Sequence, residues 1–387
     1  MDSERRPRLT PAIADVRRAV RAVLPVPDAL DTVPEALEGI DTVPEALEGI
    51  DTVPEALEGA PREPASMNSA TGQLVLVALS GGADSLALAA ATAFEAPRAG
   101  LRAGAIIVDH GIQAGSADVA AHAADEARSL GLDPVLVRKV SVGSAGGPEA
   151  AARDARYAAL EETARETGAQ VVLLGHTLDD QAETVLLGLA RGSGAASLSG
   201  MAPSAPSSPS RASGTERVGA ISYVRPLLDI RRATTAQFCV DSSLEPWVDP
   251  QNSDPAFARV RVRETVLPML ERELGPGIAE ALARTAASLR EDGEALDHFA
   301  DELAEELADL AESGISLPVR ALASNPAALR QRLIRLAVES EFHVSLTRVQ
   351  TLEVARLVTH WHGQKPLDLP GVRVERRGGL LIFTSNR

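Results

Sequence analysis

The sequence predicts an α/β protein: a parallel sheet flanked by helices, followed by a smaller, mostly helical domain that ends in a β-hairpin. Three observations carry this. Four short apolar runs alternate with helix-forming segments between residues 73 and 191. Each run ends in a turn rich in Gly, Ser, Asp or His. From residue 264 the alternation gives way to longer segments with a helical apolar period. Wholly apolar strands joined by helices belong in a sheet covered on both faces. Such sheets bind ligands outside the carboxyl ends of their strands.

The elements follow in order. Residues 11–24 (PAIADVRRAVRAVL) read as an amphipathic helix. Residues 31–60 are three copies of DTVPEALEG followed by Ile or Ala. Each has Pro placed to open a helical turn and Gly to close it. A copy has too few apolar residues to bury a core, so the stretch reads as an acidic linker, with a partner-docking array as the functional alternative. Residues 73–79, 103–109, 134–142 and 170–175 are the four strands. Helices are expected over 84–96, 116–130, 148–167 and 178–191, the second and third closed by Gly131 and Gly168. Residues 202–220 are rich in Pro, Ser and Gly and read as a flexible insert. Helical periodicity runs through 264–313 and 325–360, with breaks at GISLP and SNP. Residues 365–383 read as a hairpin turning around Arg377-Gly378-Gly379. The expected organisation is an N-terminal helix and linker (1–72), a catalytic domain (73–263) and a helical substrate-binding domain (264–387).

Composition narrows the function. The 387 residues are 45% hydrophobic, enough for a sizeable core. No apolar run approaches the roughly 20 residues of a membrane span, and the N-terminus has no apolar stretch of a secretion signal. Cys239 is the single cysteine, which excludes an internal disulfide or a paired-cysteine zinc site. A cytoplasmic location is expected. The net charge of −16 argues against a nucleic-acid partner, but the three repeats carry −9 of it. Arginine clusters in RPLLDIRR (225–232), ARVRVR (258–263) and RVERR (373–377), and local patches decide phosphate binding.

The strand-end turns carry the chemistry. After the first strand comes SGGADS (80–85). Its glycines let backbone approach an anion, and the following helix directs free N–H groups and its positive dipole end toward it. It is neither a Walker A loop nor a GxGxxG turn. Asp84 within such a loop would repel phosphate unless a divalent cation lies between them. After the second strand comes VDHGIQAGSA (108–117), a polar turn offering Asp109 and His110. In EAAARDARYAAL (149–160), Arg153, Arg156 and Tyr157 share one helical face. After the fourth strand comes GHTLDDQAET (175–184). There Thr177 and Asp180 have the spacing of a capping box, while His176, Asp180 and Glu183 line one edge and suit a pocket for a cationic amine.

SGGADS resembles the PP-loop of the N-type ATP pyrophosphatases, which cleave ATP between its α and β phosphates. The later strand ends resemble the tRNA(Ile)-lysidine synthetase family, through VDHGIQAGS, EAAARDARY, GHTLDDQAETVLLGLARGSGAASLSGM and the RPLL, DPQN, RVRVR and LPML segments (225–270). The resemblance implies a Rossmann-like, adenine nucleotide alpha hydrolase-like domain in a short form without extra C-terminal domains. It implies ATP and Mg²⁺ at Ser80, Gly81, Gly82, Ala83, Asp84 and Ser85, with Asp84 as the metal ligand and Asp109 and His110 toward the base or ribose. It suggests Asp180 and Glu183 for lysine, and Asp84, Arg156, His176 and Asp180 for catalysis. Arg225, Arg231, Arg232, Arg259, Arg261 and Arg263 are the candidate tRNA contacts. The implied reaction adenylates C2 of the wobble cytidine in the CAU anticodon of tRNA(Ile), and free L-lysine then displaces AMP. A homodimer stays open. A tRNA thiolase of the same superfamily usually relies on paired cysteines, and a metabolite-adenylating ligase leaves RPLL, DPQN and RVRVR unexplained. A non-catalytic ATP- or tRNA-binding module fits poorly with intact Asp84, Asp180 and Glu183.

Overall fold

The computed structural model describes residues 9–24, 72–111, 115–143, 147–192, 194–207, 221–307, 309–311 and 314–386. The acidic repeats (31–60) and most of the 202–220 insert lie outside the described residues. The N-terminal helix is α1 (Pro11–Val23), opened by Thr10, whose side chain accepts from the Ile13 N–H. The α/β unit then runs β1 (Leu74–Ala78), α2 (Ala83–Glu95), β2 (Arg102–Asp109), α3 (Ser116–Ser129), β3 (Val135–Lys139), α4 (Pro148–Thr167), β4 (Val171–Leu174) and α5 (Leu178–Ala190). A short α6 (Ala195–Leu198), β5 (Ser204–Pro206), β6 (Ser222–Val224) and α7 (Arg232–Asp241) follow.

The sheet order is β3-β2-β1-β4-β6-β5, parallel except for β5, which pairs antiparallel with β6. The chain therefore leaves β1 in one direction through β2 and β3, then returns to place β4 on its other side. That reversal opens a crevice at the carboxyl ends of β1 and β4, where α/β sheets take ligands. Alternate residues serve opposite faces. Val75, Val77, Ala105 and Ile107 pack under α1, α2, α3 and α7, while Leu74, Leu76, Ile106 and Val172 pack against Leu160 and Ala164 of α4. Helix α1 joins the first face through Ile13, Val16 and Val20. Arg17 and Arg21 hold the buried Glu95 of α2 at 2.7 and 2.8 Å.

One correction falls in the expected insert: Ser204–Pro206 is the edge strand of the sheet. Three residues are too few to register as a periodic pattern, and Pro206 sits where a missing N–H is tolerated.

After α7 the chain forms α8 (Ala258–Arg261), a π turn (Val262–Val266), α9 (Leu267–Leu274) and the 30-residue α10 (Ile278–Leu307). Val262, Leu267 and Ala279 pack with Leu178 and Ala182 of α5, so these helices are built onto the crevice side of the α/β unit. The remaining elements are β7 (Asp309–Ala311), β8 (Gly314–Pro318), α11 (Val319–Ser324), α12 (Ala327–Phe342), α13 (Arg348–Thr359), β9 (Leu367–Leu369), β10 (Val372–Arg377) and β11 (Leu380–Ser385). Their antiparallel sheet has the order β7-β8-β11-β10-β9. The terminal hairpin turns as expected, with Gly378 and Gly379 both at positive φ between paired Arg377 and Leu380. That two-residue turn matches the twist of the strands it joins. GISLP is not a break between helices but strand β8, and the end of the expected 264–313 helical run is strand β7. Ile315 and Leu317 are buried against Leu333, Ile334 and Phe383. No helix among the described residues is long and apolar enough to cross a membrane.

Candidate nucleotide and RNA-modifying site

The SGGADS loop turns at Gly81, which has φ +83°, the left-handed region that glycine enters without strain. Ser85 ties the loop: its hydroxyl accepts from the Ser80 N–H at 3.1 Å, lies 3.0 Å from the Ser80 hydroxyl and donates to the Gly82 carbonyl at 3.0 Å. Gly82 opens α2 without a side-chain cap, so the first-turn N–H groups face outward for an anion. From outside, the Trp247 N–H holds the Gly81 carbonyl at 3.0 Å. Gly175, at the end of β4, is the other requirement. A Cβ there would stand 3.1 Å from both the Cα and N of Ser85, so a larger residue would have to push the two strand-end turns apart by a few tenths of an ångström.

The acidic residues of the second turn come to the same place. Thr177 and Asp180 form the capping box: Asp180 Oδ2 accepts from the Thr177 N–H at 2.8 Å and from its hydroxyl at 2.9 Å. Asp179 caps a different helix, accepting from the Arg232 N–H at the start of α7 at 2.7 Å. The guanidinium of Arg232 fills the space between three carboxylates: Asp84 at 3.5 Å, Asp180 at 2.8 Å and Glu183 at 3.1 Å. Glu183 has a fully buried side chain and also meets Arg263 at 2.9 Å and Arg259 at 3.4 Å. Thr235, one turn after Arg232, donates to Asp84. Thr235 carries no motif of its own in the sequence. The Arg232–Thr235 spacing of one helical turn was its only signal.

A second part of the crevice is cationic. The Nε of Arg156, the Nε of Arg225 and the Nδ1 atoms of His110 and His176 are buried without hydrogen-bond partners. Arg225 Nη1 donates to the Ala202 carbonyl at 2.7 Å. Burial lowers the pKa of Arg156, and Arg153 and Arg259 add to the effect. The site thus has an acidic cluster, already holding a guanidinium, and beside it a set of cations and orphaned donors suited to phosphate oxygens.

The expected residues divide accordingly. Ser80 to Ser85, His176, Asp180, Glu183, Arg156, Arg225, Arg232, Arg259 and Arg263 line or brace the crevice. Asp109 is buried at the end of β2 and accepts from the Gly111 N–H at 2.9 Å, which, with the Ser116 hydroxyl, holds its carboxyl below the usual range. His110 lies beside it; Ile112 and Gln113 are outside the described residues. Arg231 stands 3.2 Å from Asp179 and 3.5 Å from Glu280. RVRVR is helical, so its arginines spread: Arg259 and Arg263 turn to Glu183, while the exposed Arg261 donates to the Pro255 and Ala256 carbonyls. All six candidate tRNA arginines have protein partners.

The titrations follow from this packing. Burial pushes the Asp84 carboxyl above its ordinary range, against the Thr235 hydrogen bond and the charge of Arg232, with Asp180 adding to the rise. For Asp180, burial is outweighed by Arg232 and the Thr177 N–H, which hold it below the usual range. Burial drives the His176 imidazole down to about 3, against Asp180 and with Arg156, Arg225 and Arg259. The ring is therefore neutral at physiological pH. An unfolded imidazole titrates near ~6.5. Below that pH the unfolded chain binds a proton that folded His176 refuses until about 3, so stability falls with pH across the window. Replacing His176 by Gln should flatten this acid limb, as read from denaturant midpoints between those two pH values. An unchanged slope would show that His176 does not set it. Cys239 is buried in α7, its thiol pushed up to about 12 by burial and donating weakly to the Ala83 carbonyl at 3.5 Å. It is a packing residue, with no thiolate to offer.

A parallel sheet with an SGGADS turn at its switch point defines the PP-loop class, and residues 60–270 match the PP-loop domain family. Residues 317–381 match the TilS substrate binding domain. The chain is 63% identical over 315 residues to a tRNA(Ile)-lysidine synthase of Leifsonia xyli, covering 81% of this chain and 90% of the relative. It is 36% identical to the tRNA(Ile)-lysidine synthase of Tropheryma whipplei, covering 98% of this chain and 97% of the relative. The U34-tRNA thiolase NcsA of Methanococcus maripaludis superposes with a TM-score of 0.46 at 20% identity, over 57% of this chain and 73% of that one. The chain belongs to the tRNA(Ile)-lysidine synthase family.

Proposed function

We propose that the protein joins lysine to C2 of the wobble cytidine in the CAU anticodon of tRNA(Ile), using ATP, and acts in the cytoplasm. The observation that carries this reading is the pairing of an uncapped PP-loop with a crevice that sets an acidic cluster beside a group of arginines. Residues 73–263 would form the catalytic domain and 264–387 the substrate-binding domain.

The Ser80–Ser85 loop would hold the β and γ phosphates with backbone N–H groups, aided by Ser80 and Ser85. Asp84 fits a Mg²⁺ role because it sits in the first turn of α2, directly after the loop. An ion shared between one carboxylate and substrate phosphates needs no wider set of protein ligands. When bound, the ion would offset the phosphate charge. Arg156 and Arg225, with the neutral His176, would face the α-phosphate as charge builds on it. Asp109 and His110 would border the base or ribose.

Asp180 and Glu183 would receive lysine. Because Arg232 already lies between them, the incoming amine would have to share or displace that guanidinium. Such a step keeps the acidic cluster neutralised until lysine arrives. The exposed Arg261 and the outer edge of Arg259 would meet tRNA phosphates, whereas Arg225, Arg231, Arg232 and Arg263 would act inside the crevice.

The two-step order has a direct test. With ATP labelled at the α-phosphate and CAU-anticodon transcript, but no lysine, label should appear on the RNA. Adding lysine should release it as AMP. Label that never reaches the RNA, while lysine is still incorporated, would rule out the adenylated intermediate.

A further inference from the structure

Between α13 and β9 the chain reads HWHGQK (360–365), which gathers two of its seven histidines, one of its two tryptophans and one of its two lysines. No step of the proposed reaction uses them. The segment is bonded to itself. The His362 N–H donates to Gln364 Oε1 at 2.9 Å, Gln364 Nε2 donates to the His360 carbonyl at 2.7 Å, and His362 Nδ1 lies 3.0 Å from that same oxygen. A loop fixed before binding loses little freedom on binding.

The loop presents Trp361 with 39% of its surface exposed. The guanidinium carbon of Arg376 lies 5.2 Å from the indole centroid, within cation–π range. Arg376 is itself anchored: its Nη1 donates to the Leu357 and Val358 carbonyls at 2.9 and 3.4 Å, two of the unpaired carbonyls that end α13. The indole is thus held against a cation that a helix terminus fixes. His360, His362 and Lys365 are exposed around it. Residues 343–377 carry six Arg and Lys against three Asp and Glu, in a chain whose net charge is −16.

A rigid exposed aromatic ring, edged by cations on a locally basic surface, suits an unpaired nucleobase with its flanking phosphates. A protein-binding hot spot would instead set the ring within apolar neighbours. We infer that the 360–365 loop and Arg376 form an RNA-contact platform, where Trp361 stacks an unpaired base of the tRNA substrate and Lys365 meets an adjoining phosphate. This rests on the reading of the chain as a tRNA-modifying enzyme, and it locates one grip within the matched region 317–381.

The test uses the full chain and end-labelled CAU-anticodon transcript, with anisotropy titrations across a salt series and steady-state kinetics of lysine incorporation. Trp361→Ala should weaken tRNA binding about tenfold, as loss of one stacked base does. It should raise the tRNA KM equally and leave kcat and the KM values for ATP and lysine unchanged. Trp361→Phe, which keeps a ring, should retain most of the affinity. Lys365→Ala should weaken binding about threefold and flatten the dependence of log K on log salt by about one unit. Trp361→Phe and Lys365→Ala keep the test open if the alanine variant fails to fold. Unchanged tRNA affinity in Trp361→Ala and Lys365→Ala would overturn the platform. So would a Trp361→Ala variant whose assembly mass changes while its tRNA affinity holds, since the surface would then be a protein interface. Wild-type protein that binds tRNA through this loop but never incorporates lysine would overturn the lysidine reading and leave the platform standing.

Discussion

Replacing Asp84 by alanine is expected to cut pyrophosphate release about a thousandfold without weakening the fold. The two halves of this result have separate causes. Asp84 sits in the first turn of α2, directly after the loop, and Thr235 and Arg232 hold its carboxylate. Its folded pKa lies above the ordinary value, with burial as the main cause. The folded chain therefore binds the Asp84 proton more tightly than the unfolded chain does. As pH rises past the ordinary carboxylate range, near ~4, stability falls until Asp84 ionises. At neutral pH the ionised group costs the fold stability, the pattern of a group kept for a role other than packing. Thermal melts of Asp84→Ala should match or exceed wild type while activity disappears. A variant that loses activity and melts well below wild type would mean that Asp84 is a structural ion-pair member instead.

Glu183→Ala should do the opposite to stability. Its fully buried carboxylate is met by Arg232, Arg259 and Arg263. Removing one partner of a buried charge network costs about 3–5 kcal/mol, because the remaining charges are left unpaired in a poorly solvating site. For a chain of this size that is a fall of roughly 4–6 °C in melting temperature. Activity should fall with it, since Arg232 loses one of its three anchors and the π turn after α8 loses its ion pair to α5 and keeps only its apolar contact there. A double-mutant cycle isolates the cause: in the Glu183→Ala background, Arg263→Ala should cost little or even recover stability. If Glu183→Ala melts within about 2 °C of wild type, the network is not what joins α8 and α9 to the sheet.

These two carboxylates sit 99 positions apart in the sequence and on the same arginine in the structure. That contrast marks what was legible beforehand. The turns were readable because each is local: SGGADS and GHTLDD carry their strand, cap and helix in one stretch. Thr177 and Asp180 form the capping box that their spacing implied. The Gly378-Gly379 turn was readable for the same reason. The partners of these turns were not readable. Arg232, Thr235, Arg259 and Arg263 come from segments with no fixed spacing to the loops they meet, so the cluster of carboxylates could be read while the guanidinium between them could not. RVRVR showed only as a cluster of arginines; α8 and the π turn after it bring Arg259 and Arg263 to one carboxylate and leave Arg261 outside. Strands β5, β7 and β8 were not legible because three to five residues make too short a pattern, and the second partner of β8, β11, lies more than 60 residues further on.

The central claim is that this crevice uses ATP to join lysine to tRNA. The most direct measurement mixes purified full-length protein, Mg²⁺-ATP, labelled lysine and unmodified CAU-anticodon tRNA(Ile) transcript, and counts label in the RNA. The account predicts incorporation that vanishes without ATP and in Asp84→Ala, and that fails on a transcript whose wobble cytidine is replaced. Pyrophosphate release with no lysine in the RNA, from a folded and tRNA-bound protein, would contradict it.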